Sequence, residues 1–294
     1  MSKLAGEGCK IIMPTEERKP LREIEKSIIK KYRKYTWSKF IKAIKDYKLV
    51  EEGDKIAVAI SGGKDSLLMA KMFQELQKHG QVKFDLVFLA MDPGYHKNIR
   101  QLLEENCEYL NIPLTIFDTN IFDVAGEIAE DYPCYMCARM RRGALYNKAE
   151  ELGCNKLALG HHFDDVIETT MLNLLCAGNF KTMLPKLKSS NYEKMQIIRP
   201  LYYIREESII RFIQNSGIMP LNCACMVAAK KTGNKRYEIK ELISNLSDNF
   251  ANVEKSIFKA AENVNIDSVL GWQLDGVKHT FMERFDKDDF GDLE

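Results

Sequence analysis

No apolar run in this sequence is long enough to cross a bilayer; the stretch from Leu86 to Met91 is closed on both sides by aspartates, Asp85 and Asp92. The first ten residues, MSKLAGEGCK, carry no apolar signal core. Internal repeats and low-complexity segments are missing as well, which argues against solenoids and disordered arrays. An excess of either charge is also lacking, with 43 Lys and Arg against 42 Asp and Glu over 294 residues. Together these absences lead to the expectation of a cytoplasmic globular chain with no membrane attachment. A composition 45% hydrophobic and 29% charged is ordinary for such a chain, and its length suffices for a sizeable core.

The near-neutral sum hides an uneven distribution. Residues 16–48 hold 12 Lys and Arg against 5 Asp and Glu, whereas residues 281–294 hold six acids and two bases. A basic segment of that kind suits a polyanionic partner, and equally a solvated helix face. The eight cysteines do not form a disulfide framework in a compartment that keeps thiols reduced. Cys9, Cys107, Cys154 and Cys176 stand alone, as small buried hydrophobes do. Cys134-Tyr-Met-Cys137 and Cys223-Ala-Cys225 are close pairs of soft ligands, the spacing with which proteins grip zinc or an iron–sulfur cluster.

Strand-like runs at 56–60, 84–91, 114–117, 156–159 and 196–198 alternate with helix-periodic segments at 64–79, 97–110, 136–152 and 164–176, with a further helix at 205–214. This alternation predicts an α/β fold with a doubly wound parallel sheet. A basic amphipathic helix is expected over 21–48, and helices around 238–246 and 252–263. Three segments follow: a basic helical lead over residues 1–52, an α/β domain over 53–220, and a cysteine loop with a helical extension over 221–294.

In an open parallel sheet, ligands collect at the carboxyl ends of the strands. That edge receives Ser61-Gly62-Gly63-Lys64-Asp65-Ser66 after the first strand, Asp92 after the second, and Gly160-His161-His162-Phe163-Asp164-Asp165 after the fourth. The first turn is not a Walker A loop, which needs four residues between its Gly and its Gly-Lys. Glycines allow close backbone approach, the helix start favours an anion, and Lys64, Ser61 and Ser66 meet phosphate charge. Asp65 is repelled by phosphate unless a cation intervenes, which marks it for holding Mg²⁺ or for orienting the loop. Asp164 and Asp165 suit the first turn of a helix; sharing a crevice with a triphosphate also fits them for Mg²⁺ or for the chemical step. His161 and His162 are read as shaping the crevice.

The hexapeptide Ser61–Ser66 resembles the pyrophosphate loop of the PP-loop ATP-pyrophosphatases, enzymes that split ATP between its α and β phosphates. With Cys134-Tyr-Met-Cys137-Ala-Arg139-Met-Arg141-Arg142, Gly160-His-His-Phe-Asp164-Asp165, Arg199-Pro-Leu201 and Cys223/Cys225 in that order, the sequence from about 34 to about 246 resembles the tRNA 2-thiocytidine synthases. The resemblance implies ATP, Mg²⁺ and a [4Fe–4S] cluster as cofactors, and tRNA as substrate. It also implies a sulfur donor, either a cysteine desulfurase or inorganic sulfide, and a homodimer. It implies nucleotide binding by Ser61, Gly62, Gly63, Lys64, Asp65, Ser66 and Gly160, and catalytic roles for Lys64, Asp164 and Asp165. Cluster ligation falls to Cys134, Cys137 and Cys225, with Cys223 as alternate, because the family spaces this later pair by two residues and here one residue intervenes.

The implied chemistry is consistent with cytosine itself. The C2 oxygen of the base is a poor leaving group; transfer of AMP to it makes it a good one, and sulfur then replaces it. Unpaired anticodon bases can be splayed into a pocket for this purpose. Arg139, Arg141, Arg142, the aromatics Tyr32, Tyr35 and Trp37, and the basic stretch 230–236 are candidate RNA contacts, or simply surface and core. Other readings remain open at this point: a closed zinc site, thiolation of a tRNA uridine, amidation of a small molecule, or a nucleotide- and metal-sensing protein without turnover. The segment after about 247 matches nothing in the resemblance.

Overall fold

The computed structural model describes residues 12–119, 121, 133–189, 195–221 and 235–285, with 133–139 described as helical backbone alone. Strands β1 (Lys55–Ala59), β2 (Asp85–Asp92), β3 (Leu114–Asp118), β4 (Lys156–Ala158), β5 (Lys186–Lys188) and β6 (Gln196–Ile198) form one sheet in the order β3-β2-β1-β4-β6-β5. Every pairing is parallel except that of β5 with β6. The expected doubly wound sheet is therefore present, with one short antiparallel edge strand that the sequence reading did not include. The pattern Lys-Leu-Lys is too short and too charged to signal a strand, and those lysines blunt the open edge.

Alternation along the strands sorts the two faces. Ile56, Val58, Phe88, Ala90 and Ile198 enter the larger core, under α3 (Lys64–His79), α4 (Lys97–Tyr109), α6 (Phe163–Ala177) and α7 (Glu206–Ser216). Ala57, Leu89, Leu157 and Ile197 point the other way, onto Tyr146 and Ala149 of α5 (Pro133–Glu151). The continuous apolar runs of β1, Ile56 to Ala59, and β2, Leu86 to Met91, follow from coverage on both faces.

The basic amino-terminal segment is two helices rather than one, α1 (Leu21–Ile29) and α2 (Trp37–Asp46). The break is fixed at Thr36, fully buried, whose hydroxyl donates to the Tyr32 carbonyl at 3.0 Å. Turning there lets Ile24 and Ile28 of one helix and Phe40, Ala43 and Ile44 of the other reach the same core. Tyr32 is core, edge-on to Phe212 at 5.5 Å; Trp37 stacks on Phe40, and Tyr35 remains exposed. Outward face Arg22, Lys26, Lys30, Lys31, Arg33 and Lys34.

Toward the carboxyl end, α8 (Lys235–Asn249) and α9 (Val253–Ala260) add Ile239, Ile243 and Phe258 to the larger core. Beyond them a hairpin, β7 (Gly271–Leu274) and β8 (Val277–Thr280), turns through Asp275 and Gly276, both at positive φ. Among the described residues no helix is long and apolar enough to cross a membrane.

Candidate active site

The turn after β1 is held by its own side chains. Ser66 Oγ donates to the Gly63 carbonyl at 2.9 Å and accepts from the Ser61 amide at 3.2 Å, closing the loop over the start of α3. Gly62 has φ +74°, which L side chains rarely adopt, and its carbonyl accepts from the Leu221 amide at 2.9 Å. A Cβ at Gly62 would stand 2.5 Å from Leu221 Cδ1. Gly160 brings the end of β4 against the same turn, its ideal Cβ 3.3 Å from Asp65 Cβ and 3.4 Å from the Ser66 nitrogen. The result is a helix of 16 residues whose first amides face the carboxyl edge of the sheet, an anion site by construction.

Beside that turn lies an open cavity of about 240 Å³. Its walls come from three helix starts: Lys64 and Asp65 of α3, His162 with Asp165 and Glu168 of α6, and Glu206 of α7. Arg236, Tyr237 and Lys240 of α8 close the fourth side. Lys64 Nζ bridges Asp65 at 2.9 Å and Glu206 at 3.1 Å. Arg236 reaches Asp165 at 3.0 Å and Thr169 at 3.1 Å, while Lys240 pairs with Glu206.

Residues 20–220 match the family model of the PP-loop domain. The chain belongs to the PP-loop family. Among curated members, the tRNA-cytidine(32) 2-sulfurtransferase of Pelobacter propionicus is 38% identical over 239 residues, 80% of this chain and 88% of that protein. The protein of the same name from Syntrophotalea carbinolica is 35% identical over 243 residues, 82% and 92% of the two chains. Of solved structures, the U34-tRNA thiolase NcsA of Methanococcus maripaludis, described with its [4Fe–4S] cluster, aligns with a TM-score of 0.63 at 23% identity, over 89% of this chain and 87% of that one. The last comparison speaks for the fold.

Within this PP-loop site, burial and charge set each group's protonation. Burial works against the charge of Lys64, but Asp65 and Glu206 outweigh it and hold its pKa above the ordinary range. Burial likewise opposes Glu206, yet Lys64 and Lys240 bring its carboxyl down to about 2. Burial opposes the charge of Asp165 too, yet its pKa is lowered, by the two histidines, by the His162 amide that donates to it at 3.0 Å and by Arg236. Glu168 goes the other way: burial first, then the charge of Asp165, push it up to about 7. His161 is drawn down to about 4 by burial, so its imidazole is neutral near pH 7.

Glu168 gives a stability prediction. Its folded pKa is raised, so its favourable contribution is complete below pH 4.5, where folded and unfolded chains both carry the proton, and is lost as pH rises toward 7. Glu168→Gln, a shape match for the protonated acid, is expected to stabilise the ligand-free protein above pH 7, by at most about 3 kcal/mol, and to leave it unchanged below pH 4.5. Unfolding midpoints of the two proteins across that range check this; a constant difference would refute it.

The expected site residues separate in an informative way. Ser61, Gly62, Gly63, Lys64, Asp65, Ser66 and Gly160 share the turn, and Asp165 faces it across the cavity. Asp164 is turned aside: it accepts from Arg205 Nε at 3.2 Å and from the Glu206 amide at 2.7 Å, tying α6 to α7. Asp65 Oδ1 is buried with no hydrogen-bond partner. It fits a hard cation, as do the oxygen donors of Asp165 and Glu168, and Mg²⁺ is typically held by one or two carboxylates plus substrate phosphates. Among the described residues no three potential ligands already stand in coordinating positions.

Glu168, Glu206, Arg205 and Lys240 escaped the sequence reading. Glu168 had a signal, since i+3 from Asp165 on one helix is the same face. Glu206 and Lys240 had none, being brought in by α7 and α8. The cluster candidates are less fully described. Cys134 and Cys137 occupy the first turn of α5, with side chains outside the described residues; Cys223 and Cys225 also lie outside them. Cys107 and Cys154 are buried, and burial raises both thiols, the former to about 12, as suits packing rather than metal binding. Cys176 is exposed.

Proposed function

We propose that this protein is an ATP-dependent sulfurtransferase acting on C2 of cytidine 32 in tRNA, the activity by which its curated relatives are named. One observation carries the reading to this chain's own site. The described residues that flank the segment bearing Cys223 and Cys225 both rest on the nucleotide crevice, Leu221 on Gly62 and Arg236 on Asp165. The helix that bears the other cysteine pair supports the same reading. Helix α5 returns from β3 to the start of β4, so its first turn, with positions 134 and 137, lies toward the carboxyl ends of the strands.

In this mechanism the loop amides of 61–66 and Lys64 hold the β and γ phosphates. The cytosine C2 oxygen attacks the α phosphorus, and pyrophosphate departs into the turn. Asp65 and Asp165 would hold Mg²⁺, which supplies neutralisation of the charge that builds on the leaving group. Cys134, Cys137 and Cys225, with Cys223 as alternate, would hold a [4Fe–4S] cluster, which supplies nucleophilic sulfur at C2. Lys64, raised and always charged, loses nothing to protonation equilibria during the step. Asp164 positions the α6–α7 junction through Arg205 and Glu206.

Residues 53–220 serve nucleotide activation in this reading, 221–294 complete the crevice, and 1–52 present a basic face to RNA. Lys39 extends that face to the α6–α7 junction, where its half-buried ammonium feels Arg205 and Asp164. Deleting the gene is expected to remove 2-thiocytidine from total tRNA nucleosides and leave thiouridines in place, with restoration by the intact chain. Loss of a thiouridine instead, or no loss at all, would overturn the assignment.

A further inference from the structure

Arg199 stands just past the carboxyl end of β6 and is 5% exposed. Met195, Ile197 and Arg199 alternate onto the face covered by α5; the first two complete the smaller core, and the third continues the row beyond it. One guanidinium nitrogen, Nη1, donates to the Leu184 carbonyl, while Nε is buried without a partner. Among the described residues Arg199 forms no ion pair. What lies near it is another cation: Arg142 of α5, exposed and one helical turn before the buried Tyr146, lowers the pKa of Arg199, second only to burial itself. His161, beyond the end of the adjoining strand β4, also has a buried Nδ1 with no partner, and it feels the charge of Arg199.

A buried guanidinium within reach of a second cation's charge, with its own Nε unsatisfied, is costly unless an anion completes it. Asp165 acts on it only from a distance, and that carboxylate is taken up by Arg236 and the His162 amide. We propose that Arg199, Arg142 and His161 form a subsite for one phosphate group of a bound substrate, separate from the pyrophosphate turn. Arg199 supplies Nε from the floor, neutral His161 an N–H at Nδ1, and Arg142 a charge from the open side. The geometry suits a phosphodiester of the RNA strand that carries the target base, and the same chemistry would take the α-phosphate of the nucleotide. The RNA assignment rests on the sulfur-transfer reading above.

The test measures binding of the intact protein to an anticodon stem–loop RNA across a salt series, and separately to α,β-methylene-ATP. Arg142→Ala, at an exposed position where folding is not at stake, is expected to weaken RNA binding about tenfold and to lower the slope of log affinity against log salt by about one. Arg199→Lys, which keeps charge but loses the planar fork, is expected to weaken binding similarly with less change in slope. A loss confined to the ATP analogue would assign the subsite to the nucleotide instead. Unchanged binding in both arms by Arg142→Ala would overturn the subsite. Failure of the unaltered protein to bind the RNA at all would instead count against the sulfur-transfer reading.

Discussion

Lys64→Met is expected to reduce the rate of ATP-dependent thiolation by about 10²–10³-fold, the usual effect of removing one preorganised donor from a developing charge. The fold holds Lys64 between two acids: its ammonium lies between Asp65 and Glu206, and its side chain is only 14% exposed. Methionine retains the packing of the stem and deletes the charge. Glu206 then keeps Lys240 as its cation, whereas Asp65 is left with the His162 ring alone, its Nε2 at 3.7 Å. A stability loss of about 2 kcal/mol should accompany the kinetic one. Single-turnover rates at saturating ATP separate the two effects, and a rate within about tenfold of the unaltered enzyme would remove Lys64 from the chemical step.

Gly62→Val is expected to abolish turnover and to destabilise the fold by about 2–3 kcal/mol, since a β-branched residue at positive φ is strained and the added carbon meets Leu221. The two causes can be separated. Leu221→Ala removes the side-chain collision but not the backbone strain, so the double variant should recover only part of the lost melting temperature. Full recovery would show that the left-handed conformation is not required. No recovery would show that Leu221 is not the atom in the way. Either result would redraw how the crevice is tied to the segment that follows residue 221.

How far these features could be read in advance depended on whether the signal was local. The Ser61–Ser66 turn needs glycine for its φ, serine for its internal bonds and lysine for its charge, all within six residues, so it was legible from the sequence. The doubly wound order was legible because both faces of β1 and β2 are covered and their apolar runs are continuous. The split between α1 and α2 was hidden, because both halves share one amphipathic period and only the burial of Thr36 shows where the chain turns. The hairpin at Asp275-Gly276 was missed despite carrying a strong turn signal, since its strands are only four residues long and largely exposed. In the site, Asp164 and Asp165 look equivalent in sequence; Arg205 and Arg236, from two distant helices, decide which one faces the cavity.

The anchoring of the amino-terminal helices has a consequence for biosynthesis. Tyr32 meets the Arg211 carbonyl and the Asn215 amide across sequence separations of 179 and 183 residues, and Thr15 and Lys19 bond to Gln214 and Ser216. Gly217, at φ +70°, leaves room for the backbone of Glu17 and Arg18 to lie across the end of that helix. These helices are therefore synthesised long before the part of the core on which they dock. Contacts so distant slow folding. During that interval a strongly cationic stretch emerges beside ribosomal RNA with the apolar stripe of Ile24, Ile28 and Phe40 uncovered.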